Sequence, residues 1–250
     1  MSSNNKDGKM STTIVPRITK ERLISKDNAL IMGSYSLGVE EQRLLLAGIE
    51  KSQRTGKTSG SSAIEITLNA NEYAALYGVT IKTAYNALQQ SSSKLYDRSI
   101  TLTDSEKVRN VRWLQERAVY ESGKVTLVFS DVISKHIREI TTTYRLEQAT
   151  QLRSKHAIRY YEIFQLLIDK ETQEGAWEIS VIELKQLFEI KDTDYPRWSD
   201  FRRRVVVEPI AQINKNTSMN VEFSVIKNGR EVVGLEFILF ESNQLKLGLT

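Results

Sequence analysis

Cysteine is absent from the chain, and histidine occurs only at His136 and His156, far apart in sequence. The first absence excludes disulfides and thiolate zinc sites and points to a reducing compartment. The second leaves metal chemistry and histidine-based catalysis almost no material, so no metal, no cofactor and no catalytic residue are expected. Three prolines and twelve glycines in 250 residues argue against a loop-rich or all-β scaffold. Long apolar runs are missing too. The greasiest uncharged stretch, Ala29 to Val39, is interrupted by Ser34, Tyr35 and Ser36, whereas a membrane span needs about 20 apolar residues. The opening MSSNNKDGKMSTT lacks the apolar core of a secretory signal. A soluble, cytoplasmic protein with no membrane partner is expected.

What is present is ordinary globular composition, 40% apolar and 26% charged. The length suits one large domain or two small ones. Net charge is +4, unevenly placed: residues 1–150 carry +5 and residues 151–250 carry −1. Residues 1–26 alone hold six basic against two acidic residues. Global charge is therefore weak support for nucleic acid, and local clusters decide.

Along the chain, residues 1–16 have no apolar periodicity and are expected to be a flexible tail. Gly38–Gln53 has the spacing of a helix, with Leu44, Leu45, Leu46 and Ile49 inward. Lys51–Ser62 reads as a polar loop. Its Gly56-Lys57-Thr58 is no phosphate loop, since it follows a helix and has Lys51 where the first glycine is needed. A strand over Ala63–Leu68, a helix ending at Gly78 and a second helix capped by Thr80 follow. Strands are expected at 99–103, 111–120 and 124–130, then a short helix over Asp131–Glu139. The order then recurs: a long helix Leu152–Glu171, a strand Ala176–Ser180, helices Val181–Ile190 and Tyr195–Asn214, and strands at 220–226 and 231–240 around an Asn228-Gly229 turn. Ile64 and Ile66 match Trp177 and Ile179, and Leu76, Tyr77 and Val79 match Leu187, Phe188 and Ile190. This order, met twice, predicts an α+β fold of two tandem winged helix-turn-helix domains related by an internal pseudo-repeat. The expected domains are 17–140 and 152–250, joined through Ile140–Gln151, which has no firm pattern.

Each half offers a reading helix. In the first, small Ala74 precedes Gly78 by four residues, as a tight helix crossing requires, and Lys82, Thr83, Tyr85 and Asn86 would face DNA. In the second, Asp194 is expected to cap a helix with Pro196 in its first turn. Phe201, Val205, Ile210 and Ile213 form its apolar face, while Arg197, Arg203 and Arg204 point away with Val207 between the last two, and Arg202 lies near the boundary. Arginine is the side chain best shaped for guanine edges and phosphates. Pro209 conflicts with this helix and should kink it at Val205. Tyr160-Tyr161 resembles a DNA-nicking pair, but no paired histidines support that chemistry, and core packing is the simpler role. The two histidines are read as ordinary surface or partly buried residues.

From Asp200 to Leu239 the chain resembles the iteron-binding plasmid replication initiators: Phe201, the basic run Arg202 to Arg204, and Gln212-Ile213-Asn214 before a hairpin. Ala29–Gln53 is similar to the family's opening helices, and the resemblance extends over residues 17–241. It implies a non-enzymatic initiator that binds direct repeats on double-stranded DNA as a monomer, opens A·T-rich DNA and recruits a host initiator and replicative helicase. A homodimer, in equilibrium with the monomer, would bind an inverted repeat and repress the initiator's own gene. The carboxy-terminal module would give most of the readout, through Arg197, Arg202, Arg203 and Arg204, and the amino-terminal one the dimer and a second DNA contact. Lys155, Lys191, Asn214 and Lys215 are candidate phosphate contacts, which position without reading sequence. The rival reading is a dimeric winged-helix transcriptional repressor without initiator activity.

Overall fold

The computed structural model describes residues 13–15, 22–57, 60 and 63–242. Most of the expected tail therefore lies outside the described residues. Of residues 13–15, Ile14 bridges Thr80 and the Val15 amide donates to the Val79 carbonyl, so this stretch rests on the turn between two helices.

Strand β1 (Leu23–Lys26) leads into a short helix α1 (Asn28–Met32), capped by the Asp27 carboxylate on the Ala29 amide. Helix α2 (Val39–Arg54) buries Leu44, Leu45, Leu46 and Ile49. It runs one turn into the expected polar loop, because the Lys51 ammonium is held by Glu72 at 2.7 Å and by the Thr67 carbonyl. Next come β2 (Glu65–Asn69), α3 (Ala70–Tyr77), α4 (Ile81–Tyr96), β3 (Ser99–Thr103), β4 (Val108–Arg112), β5 (Leu114–Val119), β6 (Lys124–Phe129) and α5 (Asp131–Arg138). The single strand expected over 111–120 is two strands, broken at Trp113. That indole is buried and meets Tyr35 edge-on, 5.2 Å between centroids. β3 and β4 pair as a hairpin, and the antiparallel sheet β2-β6-β5 stands apart from it.

Residues 140–151, patternless in sequence, are ordered as β7 (Thr142–Arg145) and α6 (Leu146–Gln151). β7 pairs antiparallel with β1, far away in the chain, so no local periodicity announces it. Helix α7 (Lys155–Leu167) is shorter than the expected 152–171; Ser154 caps it by accepting the His156 and Ala157 amides. One apolar side was expected, yet every residue from His156 to Gln165 is buried. The reason is that α7 packs against α1 and α2 and also against elements of the second half, so that it serves two cores.

That second half comprises β8 (Glu174–Ser180), α8 (Val181–Leu187), α9 (Trp198–Phe201), a π-helical turn Arg202–Val207, α10 (Glu208–Asn216), β9 (Met219–Asn228) and β10 (Glu231–Glu241). Its elements α10, β8 and β10 meet α7, the last through Phe237 against Tyr160 and Phe164. Its sheet order β8-β10-β9 repeats β2-β6-β5, antiparallel throughout. The turn of the last hairpin is Gly229-Arg230 rather than Asn228-Gly229, since Asn228 pairs with Glu231. Gly229, at φ 61°, takes the first central position, where a type II′ turn requires glycine.

The repeat reaches the level of single hydrogen bonds. Asn69 and Glu72 form a reciprocal capping box on α3, and Ser180 and Glu183 form the same box on α8. Gly78 (φ 63°) ends the first helix left-handed, and Glu189 (φ 47°) occupies the equivalent position after α8. The fold is thus α+β, two winged helix-turn-helix modules in tandem.

Candidate nucleic-acid interface

Asp194 does not cap the reading helix of the second module. Its carboxylate accepts the Lys191 amide within the connecting turn, and Arg197 is the N-cap residue. Proline biases the residue before it to extended backbone, which holds the chain out of the helix until Pro196 has passed. The expected continuous helix Tyr195–Asn214 is three pieces, α9, the π-turn and α10. Pro209 brings a π-turn in place of a simple kink: the Glu208 amide donates to the Arg203 carbonyl, five residues back.

The apolar face is as expected, with Phe201, Val205, Ile210 and Ile213 all buried. Arg197, Arg202, Arg203 and Arg204 are all exposed, and Val207 is half-buried between them and the core. Their surroundings differ. The Arg202 guanidinium lies over the Phe223 ring on β9, its central carbon 5.6 Å from the centroid, a cation–π approach at the exposed surface. Arg203 pairs with Glu208 at 2.9 Å and stands 3.7 Å from Asp200. Arg197 and Arg204 have no ion-pair partner among the described residues.

The four candidate phosphate contacts separate. Lys191 and Lys215 are exposed. Lys155 is half-buried at the junction of the modules, its ammonium 3.5 Å from the Ser36 hydroxyl. Asn214 is committed to backbone: its side-chain amide donates to the Val221 carbonyl at 2.9 Å and its side-chain oxygen accepts the Val221 amide at 2.7 Å. Gln212, from the same Gln-Ile-Asn run, accepts the Arg153 and Ser154 amides and so fastens α10 to the start of α7. The run staples the candidate reading helix to its neighbours.

In the first module, α4 presents Lys82, Thr83 and Asn86 to solvent near its N-terminus. Thr83 shares a 2.8 Å hydroxyl contact with Thr80. Tyr85 is half-buried, accepts a hydrogen bond from Gln89 at 2.6 Å, and lies against Gly123 at the β5–β6 turn. A cleft between the modules is lined by Ser36, Arg98, Lys185, Glu189 and Lys191. Lys185 pairs with Asp192 and Arg98 with Glu41. Burial raises the Glu189 carboxyl above the usual glutamate range despite the Ser36 amide and two nearby arginines. Sequence reasoning passes over Lys227 and Arg230, exposed at the tip of the second wing; the signal available was two basic residues flanking the Asn-Gly pair.

Tyr160 and Tyr161 are wholly buried. Tyr160 packs among Phe164, Trp177, Phe188 and Phe237, and burial pushes its phenol far above the ordinary value. Neither hydroxyl can reach a phosphodiester. Both histidines are buried rather than at the surface, because each packs between elements distant in sequence. His156 stacks on Phe188, and burial, helped by the charge of Lys155, lowers its pKa to about 3. His136 Nδ1 lies 2.5 Å from Asp27 Oδ2, with Glu139 nearby. That spacing is a hydrogen bond; two ligands of one tetrahedral ion stand roughly 3.4 Å apart.

Two winged modules in tandem, the second with four exposed arginines on its second helix, define a tandem winged-helix protein. The chain belongs to the initiator replication protein family: the model of that family's WH1 domain matches residues 23–165, and the model of the Initiator Rep protein WH2 domain matches residues 180–239. A curated relative, the "Replication initiation protein" of Escherichia coli, is 25% identical over 234 residues, covering 91% of this chain and 72% of that protein. Among solved structures, the Pi initiator protein in complex with iteron DNA aligns with TM-score 0.67 and 21% identity, over 91% of this chain and 100% of that one. That likeness bears on the fold. No helix among the described residues is long and apolar enough to cross a membrane.

Proposed function

We propose that this protein is a plasmid replication initiator that binds directly repeated origin sites, iterons, on double-stranded DNA and needs no catalysis of its own. The observation that carries this reading is the exposed arginine set Arg197, Arg202, Arg203 and Arg204 on the second reading helix of a fold shared with an initiator solved on iteron DNA. In this reading the carboxy-terminal module reads bases in the major groove. Lys191, Lys215 and Lys155 meet phosphates, and Lys82, Thr83, Tyr85 and Asn86 make the second contact. The binding then opens adjacent A·T-rich DNA and recruits a host initiator and helicase. A dimer formed through strands of the first module, between Ser99 and Ser130, represses the gene from an inverted repeat. The buried Tyr160 and Tyr161 support the absence of a nicking step.

The test is footprinting of the purified chain on the DNA flanking its gene, with permanganate probing of single-stranded bases. Protection of direct repeats about two helical turns apart together with reactive thymines beside them supports the proposal. Protection of a lone palindrome with no melting overturns it in favour of a repressor.

A further inference from the structure

The six buried residues of the reading helix, Phe201, Val205, Val206, Pro209, Ile210 and Ile213, do not fit one continuous α-helix. At ~100° per residue they would spread over ~180°, and Arg202 would fall in the middle of that arc. The π-turn inserts one residue, which lowers the rotation between Phe201 and Glu208 to ~86° per residue. The same six then gather within ~100°, Arg202 moves to the edge of the arc, and Arg203 and Arg204 straddle the direction opposite the core. This is the arrangement observed, with all three arginines exposed and Arg202 leaning on Phe223.

Pro209 explains why the turn stays open. It has no N–H for the Val205 carbonyl, and in an α-helix its ring would collide with that oxygen. Bonding that reaches five residues back, as from the Glu208 amide to the Arg203 carbonyl, relieves the collision.

We infer that the π-turn kept open by Pro209 is a specificity-determining device: it sets the azimuth from which Arg202, Arg203 and Arg204 meet the DNA groove. The inference rests on this helix being the DNA reader. Pro209 is a positioning residue in it, since it acts through the arginines and is itself buried.

The experiment compares the full chain carrying Pro209→Ala, and Pro209→Ala with Val207 deleted, on iteron and scrambled duplexes. The proline replacement lets the helix close and rotate the arginines. Deleting one residue from the closed helix returns them to within ~45° of their native azimuths. The expected result is a loss of about tenfold on the iteron for Pro209→Ala, scrambled DNA being unaffected within about twofold, and recovery of most of that loss on deletion. Unchanged discrimination in Pro209→Ala, or a loss that the deletion does not repair, overturns the inference. If Pro209→Ala alone does not fold, the deletion variant decides: native discrimination supports the inference and its loss overturns it. Arg203→Ala and Arg204→Ala run alongside; if they bind the iteron normally, the reader itself is misassigned, a separate failure.

Discussion

The ammonium of Lys26 lies 2.8 Å from the Glu162 carboxylate, and both side chains are at most 2% exposed. The pair joins β1 to α7 across 136 residues of chain. Tyr144 donates to the same carboxylate oxygen at 2.5 Å, and Tyr35 to the other at 3.4 Å. Arg159 lies over the Tyr35 ring, 3.8 Å from its centroid, and donates to the Ile31 and Gly33 carbonyls. A polar knot is therefore buried where the first module meets the shared helix.

Breaking one side of that knot strands a buried charge. Glu162→Gln should cost about 3–5 kcal/mol, whereas Lys26→Met with Glu162→Leu should cost clearly less than the two singles summed. Burial alone would raise the Glu162 pKa, but the Lys26 and Arg159 cations, with hydrogen bonds from Lys26 and Tyr144, outweigh it and hold it below the usual value. Its contribution is then complete above the unfolded pKa near 4.3 and is lost as pH falls below it. Urea midpoints from pH 3 to 7 check both statements; a Glu162→Gln cost under about 1 kcal/mol would refute the first.

His156 makes a second acid-sensitive point. Its folded pKa is near 3, whereas an unfolded histidine titrates near 6.5. Between those values the unfolded chain takes a proton that the native one refuses, so stability is complete above pH 6.5 and declines as pH falls. At pH 5 the loss is about 2 kcal/mol. His156→Phe, which keeps a ring against Phe188, should flatten the stability profile between pH 7 and 5. An unchanged slope would place the protonation elsewhere.

Reading and positioning separate in DNA binding. Arg203→Ala or Arg204→Ala should each cost about 1–3 kcal/mol on the specific site and much less on random DNA. Lys215→Ala should weaken both alike and reduce the salt slope by about one. Titrations across a salt series measure this, and equal arginine losses on both DNAs would assign them to phosphate only.

Arg203 is held by Glu208, an exposed pair that contributes little to stability. Glu208→Gln should free the guanidinium and tighten binding to both DNAs by about two- to fivefold, with a steeper salt dependence. Stability should shift by less than about 1 kcal/mol. Weaker binding would show that Glu208 instead orients Arg203 for its base.

The tandem winged plan was legible in the sequence because each of its elements is locally specified. Gly78 ends α3 left-handed, Thr80 caps α4, and the apolar spacing of Phe201, Val205, Ile210 and Ile213 fixes the buried face of the second reading helix. Two further signals of the repeat were available and equally local, the Asn69–Glu72 and Ser180–Glu183 capping boxes. The exposure of Arg197, Arg203 and Arg204 follows from the same periodicity, whereas that of Arg202 depends on the π-turn.

What periodicity could not decide is who pairs with whom over long separations. The β1–β7 pairing ordered a segment without pattern. Packing from both modules buried α7 on all sides, with His156, Tyr160 and Tyr161 inside it. Asn214 and Gln212 look like free polar groups in the chain, and only the approach of Val221 and of the α7 start commits them. Pro209 announced a local conflict, but its resolution as a π-turn depended on the core against which Val205 and Ile210 had to align. Side-chain spacing determines which face of an element is apolar; tertiary structure determines what that face and its polar neighbours meet, because burial and partners are properties of the packed whole.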